Sequence, residues 1–471
     1  MKKLLQFFML SICLFGNAQT ISFSDINFKN KLIASNTSNG FAKNNFGNNI
    51  TVDINGDNEI QVVEALNVYE LYLWSSSLNT TNDIINLIGI QNFGNLKKLN
   101  CSGNSITSLN LEGLSNLEYI NAGGNDISNL AITGLVALKE ISVAYNILTA
   151  INIDNLNNLT TLDINNNQIN SLNFNNNSSF LSLRCSNNLI TSLDFSLTPT
   201  IKYIVCNNNN ITSINLGTIN QVEEFICNNN MISNLNISNL SIMTYLVFDS
   251  NQISTINFPS ANTIFGLSIG NNPISTINLN SLTSLNQLFV SNTLITNLDC
   301  SQSSVQQLTC RNNSNLETIN VKNGVYTYSD PDLLYFGFII ENNPQLQSIC
   351  VDDGEQNNLS YNNFSYNTSG NVLVYTGVAC STLISQSTFS NGEFKLNNLV
   401  IFPNPTKSNI TIIKNDTFEV TSIYITNTVG QVIKKNNNFQ NNIDLSELTS
   451  GTYFITFETY NSKITKRIIK I

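Results

Sequence analysis

At 471 residues the chain exceeds what one compact core accommodates, so several domains or an elongated repeat are expected. Charged residues make up only 11% against 41% hydrophobic, with Asn, Ser and Thr supplying most of the polar surface, and the net charge of −10 argues against nucleic acid or another polyanion as partner. Histidine is absent, which excludes every catalytic scheme built on imidazole, including Ser/His/Asp and Cys/His.

Residues 1–18 read as an export signal: Lys2 and Lys3 form the charged start, Leu4 to Phe15 the apolar run, and Gly16-Asn17-Ala18 the cleavage site, with cleavage expected after Ala18. The apolar run is shorter than the roughly 20 residues a bilayer span needs. Cys13 follows Ile12 rather than a small residue, which argues against a lipid anchor, and no later apolar stretch is long enough to cross a membrane.

Residues 19–95 are expected to cap a repeat. Within them Asp53, Asn55, Asp57, Glu59, Ile60 and Glu64 fall at the 1, 3, 5, 7, 8 and 12 positions of a calcium loop, a pattern in which several oxygens wrap one structural calcium ion and the last carboxylate arrives from a following helix. Asn58 stands where such loops carry Gly, and no regular helix plainly precedes it. An Asn/Asp-rich surface turn is the alternative reading.

Segments starting at residues 96, 117, 138, 159, 180, 201, 222, 243, 264 and 285 then align without gaps at 21 residues each, and a further one starts at Val305. Each is apolar at positions 1, 4 and 6, carries Asn at 9 and Ile or Leu at 11, and is apolar again at 14 and 16. The pattern resembles the leucine-rich repeat, L-x-x-L-x-L-x-x-N, and implies an α/β-type solenoid, mostly β: a right-handed stack of about 11 coils over residues 96–325 with a parallel sheet. Strand alternation turns positions 4 and 6 inward and 3, 5 and 7 to solvent, with a second strand expected around positions 14 and 16. At about 4.8 Å per strand, eleven coils span on the order of 50 Å, a long surface of the kind solenoids bind along.

The Asn at position 9 (Asn104, Asn125, Asn146, Asn167, Asn188, Asn209, Asn230, Asn251, Asn272, breaking at Thr293) is expected to satisfy backbone groups between coils rather than to bind a ligand. Cys101, Cys185, Cys206, Cys227 and Cys310 share inward position 6 with Val143, Ile164, Phe248 and Ile269, so they read as buried free thiols, as does Cys300 at position 16. The absence of His and of tetrahedral spacing disfavours a metal site among them.

Residues 326–380 are expected to close the other end, with Cys350 paired to Cys380, two unpaired thiols being the alternative; closing that loop would contribute roughly 3 to 4 kcal/mol in the chain-entropy model. A polar linker follows at 381–398. Short alternating strands then run from Leu399 to Phe402, Asn409 to Ile413, Ser422 to Asn427, Gln431 to Lys434, Gly451 to Glu458 and Ile464 to Lys470, the spacing of a small immunoglobulin-like β-sandwich.

Residues 399–471 resemble the type A sorting domain of the type IX secretion pathway of Gram-negative bacteria. The resemblance rests on Phe402-Pro403-Asn404-Pro405, on Ile423-Tyr424-Ile425 leading to Gly430-Gln431-Val432, on Ile443-Asp444-Leu445-Ser446, and on Leu448-Thr449-Ser450-Gly451-Thr452-Tyr453-Phe454 with the basic end Lys466-Arg467 to Lys470. The family often has Leu where this chain has Thr428-Val429. The resemblance implies engagement of that secretion machinery, passage across the outer membrane, removal of the domain, and a secreted or outer-surface location.

No phosphate loop appears, and the acidic pairs Glu223-Glu224 and Asp352-Asp353 are isolated, so a non-enzymatic binding or adhesion protein for an extracellular protein or glycan is the expected function. The outward positions nominate the surface. Early coils present Lys98, Asn100, Tyr119, Asn121 and Glu140, whereas Tyr203, Val205, Ile226, Tyr245 and Val247, with Phe289 two coils on, would form an apolar stripe. Strand propensity alone, or cover by C-terminal loops, is the competing explanation of the stripe. A structural surface-layer or matrix component acting by self-association is the alternative function.

Overall fold

The computed structural model describes residues 19–75, 82–353 apart from 176, 261 and 326–336, the strands at 365–367 and 373–375, and 399–471 apart from 415–419, 429, 437–438 and 460–462. The expected signal at 1–18 and the linker at 381–398 lie outside the described residues. Two compact units result, Met1–Leu383 and Ile384–Ile471. Among the described residues no helix is long and apolar enough to cross a membrane.

The first unit opens with a helix, Ile26–Ile33, whose cap ties the N-terminal segment to the stack. One oxygen of Asp25 accepts from the N–H groups of Asn27 and Phe28 at 2.8 and 3.0 Å, and the other from Ile85 and Asn86 at 2.6 and 3.2 Å. Phe28 and Leu32 face the core and are fully buried. The strand Ala42–Lys43 then pairs antiparallel with Glu70–Tyr72, so the first exposed edge of the sheet is covered.

With that strand the sheet has 15 strands, and from Glu70–Tyr72 onward the other 14 run in parallel, one strand per coil, to Ser365–Asn367. Register steps by one coil each time: Leu71 faces Leu99, which faces Ile120, then Ile141 and Leu162. These residues, and the position 6 side chains beside them, are buried. The second face pairs less regularly, in sheets formed by Ser108–Asn110 with Asn129–Ala131, Ser192–Asp194 with Ser213–Asn215, and Asn297–Asp299 through Leu373–Tyr375. Leu109 and Leu111 are buried there, as the alternation at positions 14 and 16 requires.

The asparagine ladder carries the turn out of each strand. The Asn209 Nδ2 donates to the carbonyls of Cys185 and Cys206 at 2.9 and 3.1 Å, and its Oδ1 accepts from Ile190 N–H at 3.0 Å. One amide thus bridges two coils through groups that water cannot reach. At the break, Thr293 keeps a connection by donating its hydroxyl to Asn313 Oδ1 at 2.7 Å. Asn313 N–H donates in turn to Asn343 Oδ1 at 2.9 Å, so the ladder continues past residues 326–336 into a coil that the 21-residue period did not reach.

Beside this ladder runs a second one, unread in the sequence. The preceding residue adopts positive φ in every described coil: Gly103 and Gly124 first, then Tyr145, Asn166, Asn187, Asn208, Asn229, Ser250, Asn271, Asn292, Asn312 and Asn342. Asparagine is the side chain that tolerates this conformation best after glycine, which explains why it dominates the position.

The second unit places Leu399–Phe402, Asn409–Lys414 and Asn442–Asp444 in one antiparallel sheet and Val432–Asn436, Val420–Thr426, Gly451–Thr459 and Lys463–Lys470 in another. Ile410, Ile412, Ile423, Ile425, Ile443, Ile455, Phe457 and Ile468 form a core of their own, as in a small β-sandwich. Asn442–Asp444 was not among the expected strands, its three residues being too few for a visible alternation.

Candidate functional site

The apolar stripe runs across five successive strands. Val205, Ile226 and Val247 are direct neighbours in register, Ser268 follows, and Phe289 lies beyond it. Tyr203 and Tyr245 sit one row over, separated by Glu224, and the row continues to Gly266. All six nominated residues therefore share one sheet face. The two tyrosines are exposed, and Val205, Ile226, Val247 and Phe289 are half-buried between neighbouring side chains.

The tyrosines are held by different means. The Tyr203 hydroxyl donates to Glu223 Oε2 at 2.8 Å, and Lys202 binds the other oxygen of the same carboxylate at 2.8 Å. The bonds from Lys202 and Tyr203 hold the Glu223 carboxyl below the usual range, and the hydrogen bond to Glu223 raises the Tyr203 hydroxyl above its own. Tyr245 instead lies across Gly266, where an added Cβ would come within 2.6 Å of its ring. The exposed ring of Phe265 meets it edge-on at 6.0 Å and extends the aromatic surface. Phe265 occupies the position just before the strand, so an alternation count confined to the strand passes over it.

The loop nominated for calcium forms a turn that its own carboxylates stabilise. Asp53 accepts from the N–H groups of Gly56 and Asn58 at 2.8 and 3.0 Å, and Glu64 accepts from Ile54 and Gln61 at 2.8 and 2.9 Å. Asp57 accepts from Glu59 N–H, the largest cause of its lowered pKa, and from the side-chain amides of Asn55 and Gln61, while Glu59 pairs with Lys29 at 2.6 Å. Asn58 takes φ +60°, the conformation a glycine would otherwise supply, and Glu64 comes from the short helix Val62–Ala65. Among the described residues no group of three or more His, Cys, Asp or Glu side chains is placed to hold a metal ion.

The cysteines divide. Cys101, Cys185, Cys300 and Cys310 are buried thiols, and burial pushes the Cys101 and Cys310 thiols up to about 12 and those of Cys185 and Cys300 higher still. Cys206 and Cys227, expected to be free, are instead joined as a disulfide. Equivalent positions of consecutive coils lie one strand spacing apart, and the Cα separation here is 4.8 Å, inside the range a disulfide spans. Comparing each coil's position 6 with the others shows a small hydrophobe; only adjacency in the stack shows the pair. Cys350 is buried at the end of its strand, and its expected partner Cys380 lies outside the described residues.

In the second unit the nominated sorting residues have structural roles. Asn404, between Pro403 and Pro405, donates through Nδ2 to the Arg467 carbonyl and accepts from Ile469 N–H, both at 2.7 Å, clasping the last strand. Gly430 turns at φ +82° between two strands, Gly451 begins the longest strand, and the buried Tyr453 donates its hydroxyl back to the Thr449 carbonyl at 2.9 Å.

The coil, its parallel sheet and its asparagine turns define the first unit as a leucine-rich-repeat solenoid. Its fold is similar to that of the functional domain of InlJ from Listeria monocytogenes, whose description includes a cysteine ladder: identity is 18%, TM-score 0.54, with 96% of this chain and 98% of that one covered. Weaker likenesses join it to the leucine-rich repeat domain of APL1B, at 15% identity, TM-score 0.40 and coverage of 69% and 90%, and to YopM from Yersinia enterocolitica, at 16%, 0.36 and coverage of 61% and 78%. No curated protein matches the sequence. Residues 400–471 match the family described as the secretion system C-terminal sorting domain. The chain is a leucine-rich-repeat protein carrying a type IX sorting domain, and hence a secreted or cell-surface protein.

Proposed function

We propose that this is a non-catalytic adhesion protein of a Gram-negative outer surface, whose solenoid holds an extracellular protein against the row Val205, Ile226 and Val247. The observation that carries the reading is the register that sets these three side by side on a solvent-facing sheet, flanked by Tyr203, Tyr245 and Phe289. Contiguous apolar surface with exposed aromatic rings is what the centre of a protein interface requires, since the aromatic anchors bury much area for little lost freedom. The sorting domain supports delivery of that surface to the outside of the cell.

The test is binding of the purified full-length chain to arrays of extracellular proteins and glycans, beside a Val205→Ser, Ile226→Ser, Val247→Ser variant. A protein ligand lost at least tenfold by the variant, with its unfolding free energy lowered by no more than about 1 kcal/mol, is the expected result. An EDTA arm asks whether the Asp53 to Glu64 loop takes calcium as part of the same function. Ligand binding that the triple change leaves intact would sink this site.

Self-association as a structural surface component is the second reading. It is favoured by the exposed amides of Asn187, Asn208 and Asn229, which hydrogen-bond from coil to coil at 2.8 Å and form a neutral polar strip. It predicts concentration-dependent oligomers in sedimentation and no foreign ligand on the arrays.

A further inference from the structure

Toward the N-terminal end of the same sheet face lies a depression of about 400 Å³, within the size range of small-ligand sites. Its floor is set by register: Lys98, Tyr119 and Glu140 stand side by side in one row, and Tyr72 and Asn100 in the next. Lys139 and Glu118 complete the rim.

Most of these groups are fixed in place without a ligand. Lys98 pairs with Glu70 at 3.0 Å, and the Tyr72 hydroxyl donates to the same carboxylate at 2.8 Å. Lys139 pairs with Glu118 at 2.6 Å. The Glu140 carboxylate carries no hydrogen bond or ion pair among the described residues. Side chains ordered beforehand lose little freedom when something binds, which is the condition for affinity from a small contact area.

The chemistry narrows what that something is. The lining holds two lysines and two glutamates, so it attracts neither a polyanion nor a polycation. It has too little enclosed apolar wall for a hydrophobic small molecule. It offers no unpaired strand edge to a peptide, because the strands that form it are paired on both sides. What remains is two tyrosine rings set among fixed donors and acceptors of both signs. A sugar ring presents the complementary surface, apolar C–H faces bordered by hydroxyls that each donate and accept.

We propose that this depression is a saccharide site taking one or two rings of a neutral glycan. Tyr72 and Tyr119 supply the apolar surface, and Lys98, Asn100, Lys139 and Glu140 bind hydroxyls. The site does not depend on the apolar row some four coils away, and the two functions can fail separately.

The protein carries its own reporter. Trp74 is the sole tryptophan, is exposed, and lies two residues beyond Tyr72, hence on the same side of the extended chain. Titrating the full-length chain with cellobiose, maltose, lactose and mannobiose while following Trp74 fluorescence, with calorimetry in parallel, tests the assignment. At least one disaccharide should give a saturable signal with Kd near or below about 1 mM. Tyr119→Ala and Glu140→Gln should each weaken it at least tenfold while the far-ultraviolet spectrum stays unchanged, and the Val205, Ile226, Val247 triple variant should bind as the parent does. No binding by any of the four up to about 20 mM, some twentyfold past a millimolar Kd, would overturn the site. So would binding indifferent to Tyr119→Ala, or a preference for an anionic oligosaccharide over all neutral ones.

Discussion

The inner and outer sides of the fifteen-stranded sheet are written in different languages. Inside, the same kinds of side chain recur from coil to coil, because each must meet its counterpart one strand away: Leu71 on Leu99 on Ile120, Asn amide on the previous turn, Cys206 on Cys227. Outside, the residues differ from coil to coil, and the face changes from ion pairs around Tyr72 and Tyr119 to an apolar row at Val205, Ile226 and Val247. Repetition is therefore the mark of the scaffold. Departure from repetition on the exposed side is the mark of use.

That contrast governs what the sequence reveals. The 21-residue period exposes the inward positions directly, and the structure places them in the core. The period stops being visible where residues 326–336 interrupt it, so the coil carrying Phe338–Glu341 and Asn343 escapes a count based on spacing alone. Lateral relations are harder still. The Cys206–Cys227 bond, and the row formed by Lys98, Tyr119 and Glu140, arise from residues 21 apart whose meeting depends on register, and a coil-by-coil reading registers them only as a small hydrophobe and as polar surface. The asparagines at positive φ were in plain view, but two adjacent asparagines per coil look like one polar turn until the backbone separates their roles.

The comparison breaks most readily on the inner side. Asn209→Ala removes an amide that serves two coils and leaves the Ile190 N–H and the Cys185 and Cys206 carbonyls buried without that partner. A loss of about 3 kcal/mol in denaturant unfolding is expected. The same change at the half-buried neighbour Asn210, whose side chain shows no such bonds, should stay within about 0.5 kcal/mol. Equal effects at the two positions would mean that the ladder does not hold the turns.

The disulfide offers a second, somewhat smaller cut. With a sequence separation of 21, the loop it closes should contribute about 3 kcal/mol at most by chain entropy, less where the coils already sit in register without it. Reduction should lower the unfolding midpoint, and the four thiols at Cys101, Cys185, Cys300 and Cys310 should resist alkylation until the protein unfolds, since burial both shields them and holds them protonated. Rapid alkylation of the native oxidised protein would place these cysteines outside the core.

The smallest effect belongs to the outer side, where ion pairs are screened. Glu118 has its carboxyl lowered chiefly by the hydrogen bond from Lys139, with the charges of Lys139 and Lys97 adding to it. A carboxyl whose folded pKa is depressed contributes stability that is fully present above the ordinary glutamate value of about 4.3 and is lost as pH falls through the folded value. Glu118→Gln should therefore cost about 0.5 kcal/mol at pH 7, the scale of an exposed pair, and nothing once the pH has fallen below the folded value. Unfolding curves of the parent and the variant, measured across that window at low and high salt, should converge in acid and also in concentrated salt. A difference that persists in acid could not come from the carboxylate's charge. It would mean that the side chain supports the rim by packing, and the outer face would then share some of the inner side's logic.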